Sequence, residues 1–127
     1  MATLNEGLTI GDVLKAELET PRNYCREVCV LAQDEAAEDD LEIGQALETD
    51  TGQKIVLATG ANADSILLEK VTAEDLAADD VSALCLVRGP AVVDGNNLTI
   101  ANGEETDALA ALKGLGILNS ASPTYVV

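Results

Sequence analysis

A chain of 127 residues with no Phe, no Trp and only Tyr24 and Tyr125 as aromatics has to build its core from Ala, Val, Leu and Ile. Aromatic side chains carry the largest burial per residue, so each core position here contributes less than usual. The length suits one domain and one core, not two independent ones. Hydrophobic residues still make up 47% of the chain, enough to set it apart from disordered compositions. A fold of this kind gains from packing against copies of itself or against a partner, because whatever binds only the folded state stabilises it.

The charge is one-sided: 23 acidic residues stand against 7 basic ones, a net charge of −16. A field of that sign repels phosphate backbones and anionic membranes, so neither nucleic acid nor a membrane is an expected partner. The acidity reads as a solubility device, as adaptation to high salt, or as the complement of a partner with a basic surface. No apolar run approaches the length of a membrane span. The opening MATLNEGLTI has neither the basic nor the apolar region of a secretory signal, so folding in a reducing cytoplasm is expected. Three cysteines, Cys25, Cys29 and Cys85, fit that expectation, being odd in number and in no disulfide framework.

The pattern predicts a mainly β (α+β) fold. Residues 1–21 stand apart, broken by Gly7, Gly11 and Pro21, with sparse apolar positions. Gly11 to Glu19 can form two turns of helix, or the whole segment can be an extended arm joined to a compact domain over 22–127. Strands are predicted over Arg26–Leu31, Ile43–Leu47, Lys54–Leu57, Ser65–Val71 and Val81–Val87, with turns at Thr49–Gly52 and Gly89-Pro90. Thr72 and Asp75 have capping-box spacing, so a helical turn is expected near Ala73–Ala77. Ala91–Val93 and Leu98–Ile100 flank Asp94-Gly95-Asn96-Asn97, whose residue types suit a hairpin. The clearest helix runs from Glu104 or Glu105 to Lys113. Its acidic residues sit at the positive end and its lysine at the negative end, and Gly114 and Gly116 stop it. The tail from Ile117 to Val127 is expected to be extended.

Catalytic chemistry is hard to place. The chain has no His, which removes the commonest general base and the His-dependent triads. All three cysteines lie in apolar strand contexts and read as core fillers. Cys25 and Cys29 on one strand stand about 13 Å apart, too far to share a zinc ion, and no second pair completes a tetrahedral set. The run from Glu35 to Asp40 lacks the ligand spacing of a calcium loop and reads as a solvated loop. No nucleotide-binding glycine motif is present. No catalytic residue, cofactor or metal is expected.

Several stretches occur in an order that resembles the lambda-type head decoration proteins of tailed bacteriophages. They are TIGDVLKAE (Thr9–Glu17), YCREV (Tyr24–Val28), IGQAL (Ile43–Leu47) followed by Thr51-Gly52, ADSILLEKVTA (Ala63–Ala73), LVRGPAVV (Leu86–Val93) and ALAALKGLGI (Ala108–Ile117). Each is short and apolar, and the resemblance lies in the ordered set. Ser65 departs from it, standing where Gly is expected before Ile-Leu, and the acidic excess is larger than the resemblance leads one to expect.

The resemblance implies a compact domain of short β-sheets, β-clip-like, with one helix in the C-terminal half and a flexible N-terminal arm. It implies a homotrimer that sits on the outer surface of the virion capsid after the head has expanded. There it would clamp neighbouring major capsid subunits, the arm ordering on the capsid. Leu8, Ile10, Val13 and Leu14 are the arm residues expected to dock. The alternative for the same residues is a short helix packed on the chain's own domain. Rival readings of function are an acidic adaptor binding a basic partner, a carboxylate enzyme, and another structural subunit such as a tail or fibre protein.

Overall fold

In a computed structural model, residues 9–17 and 25–120 are described. The strands are β1 (Leu14–Glu17), β2 (Arg26–Leu31), β3 (Ala46–Asp50), β4 (Gln53–Val56), β5 (Ser65–Leu67), β6 (Val81–Leu86), β7 (Ala91–Val93) and β8 (Ile117–Asn119). The helices are α1 (Ile10–Val13), α2 (Ala73–Ala78) and α3 (Glu105–Gly114). Five strands close into a barrel in the order β2-β4-β3-β5-β6, and the other three form a sheet in the order β1-β7-β8. The mainly β expectation holds, and α3 is the helix foreseen in the C-terminal half.

Local chemistry explains most of the elements. The β3–β4 hairpin turns on Thr51 and Gly52, at φ 53° and 82°, with Asp50 paired to Gln53. Positive φ at both positions is the two-residue turn whose twist suits antiparallel strands. At α2 the Thr72 hydroxyl accepts the Asp75 N–H at 3.2 Å, as the capping spacing predicts. Gly116, at φ 86°, ends α3 in the left-handed conformation that residues with a Cβ avoid.

Alternation along the barrel strands builds two apolar clusters. Leu47, Leu67, Ala83 and Cys85 face one way and join Leu31, Val71 and Leu76. Their neighbours Ala46, Ile66, Leu68 and Leu86 face the other way and join Val13, Leu14, Val93, Ala108, Leu112 and Ile117 from the three-stranded sheet, α1 and α3. The two clusters therefore share β3, β5 and β6 and cannot fold independently. Of the cysteines, Cys25 and Cys85 are buried, while Cys29 is half-exposed against the first of these clusters.

Three sequence expectations change. The Ala91–Ile100 hairpin does not form: β7 has β1 on one side and β8 on the other, so no edge remains for Leu98–Ile100. Residues Gly95–Asn97 instead make a 3-10 turn, and Thr99 bridges Gln45. The segment after Gly11 is not two helical turns, since α1 ends at Val13 and passes directly into β1. The strand over Ile43–Leu47 shifts to Ala46–Asp50 because Gly44, at φ 102°, bends the chain first. Pro21 and the tail beyond Ser120 lie outside the described residues.

Candidate capsid-binding segment

Thr9 opens the described chain. Its N–H donates to the Asp12 carboxylate at 2.9 Å and its hydroxyl to the same oxygen at 3.1 Å. These bonds to the ionised form hold the Asp12 carboxyl below its ordinary pKa, with the Thr9 backbone donor the main cause. The single turn of α1 points Val13, fully buried, into the core beside Gly44, where a Cβ would lie 3.2 Å from the Val13 Cγ2. Asn97 Nδ2 donates to the Asp12 carbonyl at 2.9 Å, and the Asp94 N–H to the Val13 carbonyl at 2.8 Å.

β1 then runs antiparallel to β7, with a register shift between Leu14 and Ala16. Leu14 is buried. Glu17 closes the strand by accepting from Arg26 Nε at 2.9 Å and 3.1 Å, which ties β1 to the barrel. That bond holds the Arg26 guanidinium even further into its charged form. β1 is an edge of its sheet, paired only to β7 among the described residues. A strand edge offers unpaired backbone groups to another chain.

Of the four residues expected to dock, Val13 and Leu14 thus face this chain's own core, Ile10 packs half-exposed against it, and Leu8 lies outside the described residues. In the structure Val13 and Leu14 are packed on this chain's own core. Nothing in the sequence separates that reading from an arm, because Gly11 breaks the helical pattern that would have announced it.

Three of the stretches that carry the family resemblance meet in space. Cys25 Sγ lies 3.4 Å from the Pro90 carbonyl, and the Val87 N–H donates to the Cys25 carbonyl at 2.8 Å. Gly89 donates to the Leu115 carbonyl at 2.8 Å. Cys25 of YCREV, LVRGPAVV and the end of ALAALKGLGI therefore form one junction. Ser65, the departure from the pattern, is fully buried and donates to Asp64 at 3.0 Å, so its hydroxyl is satisfied.

The sequence matches the family model of bacteriophage lambda head decoration protein D over residues 3–117. The chain belongs to this family. No curated individual protein matches it. Membership of the head decoration family gives the chain a structural role on the phage capsid, in a family that is not a class of enzymes. No group of three or more His, Cys, Asp or Glu that could hold a metal ion occurs among the described residues. No described helix is long and apolar enough to cross a membrane.

Proposed function

We propose that this decoration protein binds as a homotrimer to the outer surface of the expanded head and clamps neighbouring major capsid subunits. The family match over 3–117 carries this reading. The setting of β1 supports it: among the described residues this strand is an edge of its sheet, where a capsid strand can add. The arm, residues 1–21, then divides. Leu8 and Ile10 make capsid contacts, while Val13 and Leu14 root the arm in the body and reach the capsid only if β1 detaches. Expansion creates the site, and binding only the expanded state shifts that equilibrium by mass action. Three copies of a modest contact on one trimer give attachment far tighter than each alone.

Cosedimentation with expanded and unexpanded heads of its own phage, at low and high salt, tests the reading. Binding to expanded heads alone, surviving salt, is expected. Binding that disappears at high salt points instead to an acidic adaptor held by charge, and no binding to either head sinks the capsid reading.

A further inference from the structure

The outer row of β2 breaks the rule that a half-buried strand alternates apolar and polar residues. Its inward row, Cys29 and Leu31, packs in the barrel, yet the outward residues Val28 and Val30 are also apolar and are 66% and 40% exposed. Arg26, at the start of the outward row, is held by Glu17, and from Val28 to Leu31 the strand is apolar on both faces, as in a strand covered on both sides. Neighbouring strands extend the same face. Val28 lies opposite Leu84 and Val30 opposite Ser82 on β6, and the register of Leu31 with Lys54 puts Ile55 of β4 on this side too. None of these five side chains is charged, in a chain of which 24% is charged. Carboxylates beside this face are already engaged: Glu48, opposite Ile55 on β3, is buried and accepts the Ala58 N–H at 2.8 Å, Glu17 is held by Arg26, Glu69 by the Leu84 N–H at 3.0 Å, and Asp80 by the Gln33 N–H at 2.8 Å.

We infer that the β2 face is where copies of this chain meet, which rests on the trimeric reading above and locates its seam. Charge chooses the occupant. Two copies each carrying −16 repel one another over most orientations, so they can associate only where neither presents a carboxylate to the other. The Val28–Val30 face meets that condition. A basic partner, which the rest of the surface attracts, finds no charge here to pair with. Copies meeting through this face bury the second apolar row of β2 and supply cover that a core without Phe or Trp lacks.

The test is the mass of the full-length protein by sedimentation velocity across a concentration series at low and high salt. The wild type should be oligomeric, and salt should strengthen the assembly by screening the repulsion between copies. The double variant Val28→Glu/Val30→Glu should raise the dissociation concentration by at least about tenfold, with an unchanged circular dichroism spectrum. Ser82→Glu, on an exposed polar position that no core depends on, should act in the same direction. A double variant with the wild-type mass at every concentration overturns the inference, as does a monomeric wild type. If the wild type assembles, the variants dissociate and neither sediments with heads, the seam stands and the capsid reading fails.

Discussion

Gly89 and Gly116 meet backbone to backbone: a Cβ built on Gly89 would lie 2.0 Å from the Gly116 carbonyl oxygen. No side-chain adjustment relieves that contact, because the obstacle is main chain. The junction joins the end of the barrel to the turn between α3 and β8, so the whole sheet-and-helix layer depends on it. Gly89→Ala should destabilise the fold by more than about 2 kcal/mol, through overpacking at a fixed backbone. Urea unfolding of the purified variant measures this, and a midpoint equal to that of the wild type would contradict the close approach.

Truncation from the N-terminus should act in two steps. Removing residues 1–8 leaves α1 and β1 in place, so the urea midpoint should hold while head binding weakens. Removing residues 1–17 takes away the buried Val13 and Leu14 and the β1 pairing with β7. That should cost at least about 3 kcal/mol, on the scale of large apolar side chains lost from a core. Equal stability of the two truncations would place Val13 and Leu14 outside the core.

Asp40 accepts the Ala73 N–H at 2.9 Å at the start of α2, and Lys70 lies 3.5 Å from its carboxylate. The backbone bond first, and Lys70 after it, hold this carboxyl below its ordinary value of 3.8. A depressed acid stabilises the fold fully above the unfolded value and loses that contribution as pH falls through the folded one. Asp40→Asn should therefore be less stable than the wild type at neutral pH, the gap closing below about pH 4. A gap that persists unchanged at lower pH would show that the charge is not what stabilises α2. Chemical unfolding at a series of pH values reads it directly.

Burial, with Cys29 nearby, pushes the Cys85 thiol up to about 12. A raised thiol pKa means the folded state keeps its proton longer than the unfolded chain does. The contribution is complete below the unfolded value near 9 and disappears as pH rises toward 12, so stability should fall across that window. Iodoacetamide should label half-exposed Cys29 first, with Cys25 and Cys85 reacting only on unfolding. Mass spectrometry of a labelling time course gives the order, and early modification of Cys85 would contradict its burial.

The extent to which the fold was legible varied with the range of the interactions. Arg26–Leu31, Val81–Leu86, α2 and α3 could be read because their signals are local: β-branched runs, a cap at Thr72, charges matched to the helix ends. The Asp94–Asn97 segment misled because its hairpin chemistry is equally good for a 3-10 turn, and the choice rests on β1 and β8, far away in sequence. For the candidate site, the apolar residues of 8–14 were visible as a group. Their direction was not, since Val13 is held beside Gly44 and by the Asp94 bond to its carbonyl, with Asn97 holding the Asp12 carbonyl before it, rather than by any neighbour in the chain.

By itself the sequence determined the aliphatic composition of the core, the acidic surface, the lack of histidine chemistry and the β-rich character, because these depend on residue identity and short spacing. The tertiary structure alone decided that five strands close into a barrel and that β1 completes a second sheet. It also decided that Val13 and Leu14 turn inward while Val28 and Val30 are left outside. Both Val13 and Val28 are β-branched apolar residues with equal reason to avoid water. Which of them is covered depends on where distant strands come to lie, and that is settled by pairing over long loops, not by the residue or its neighbours.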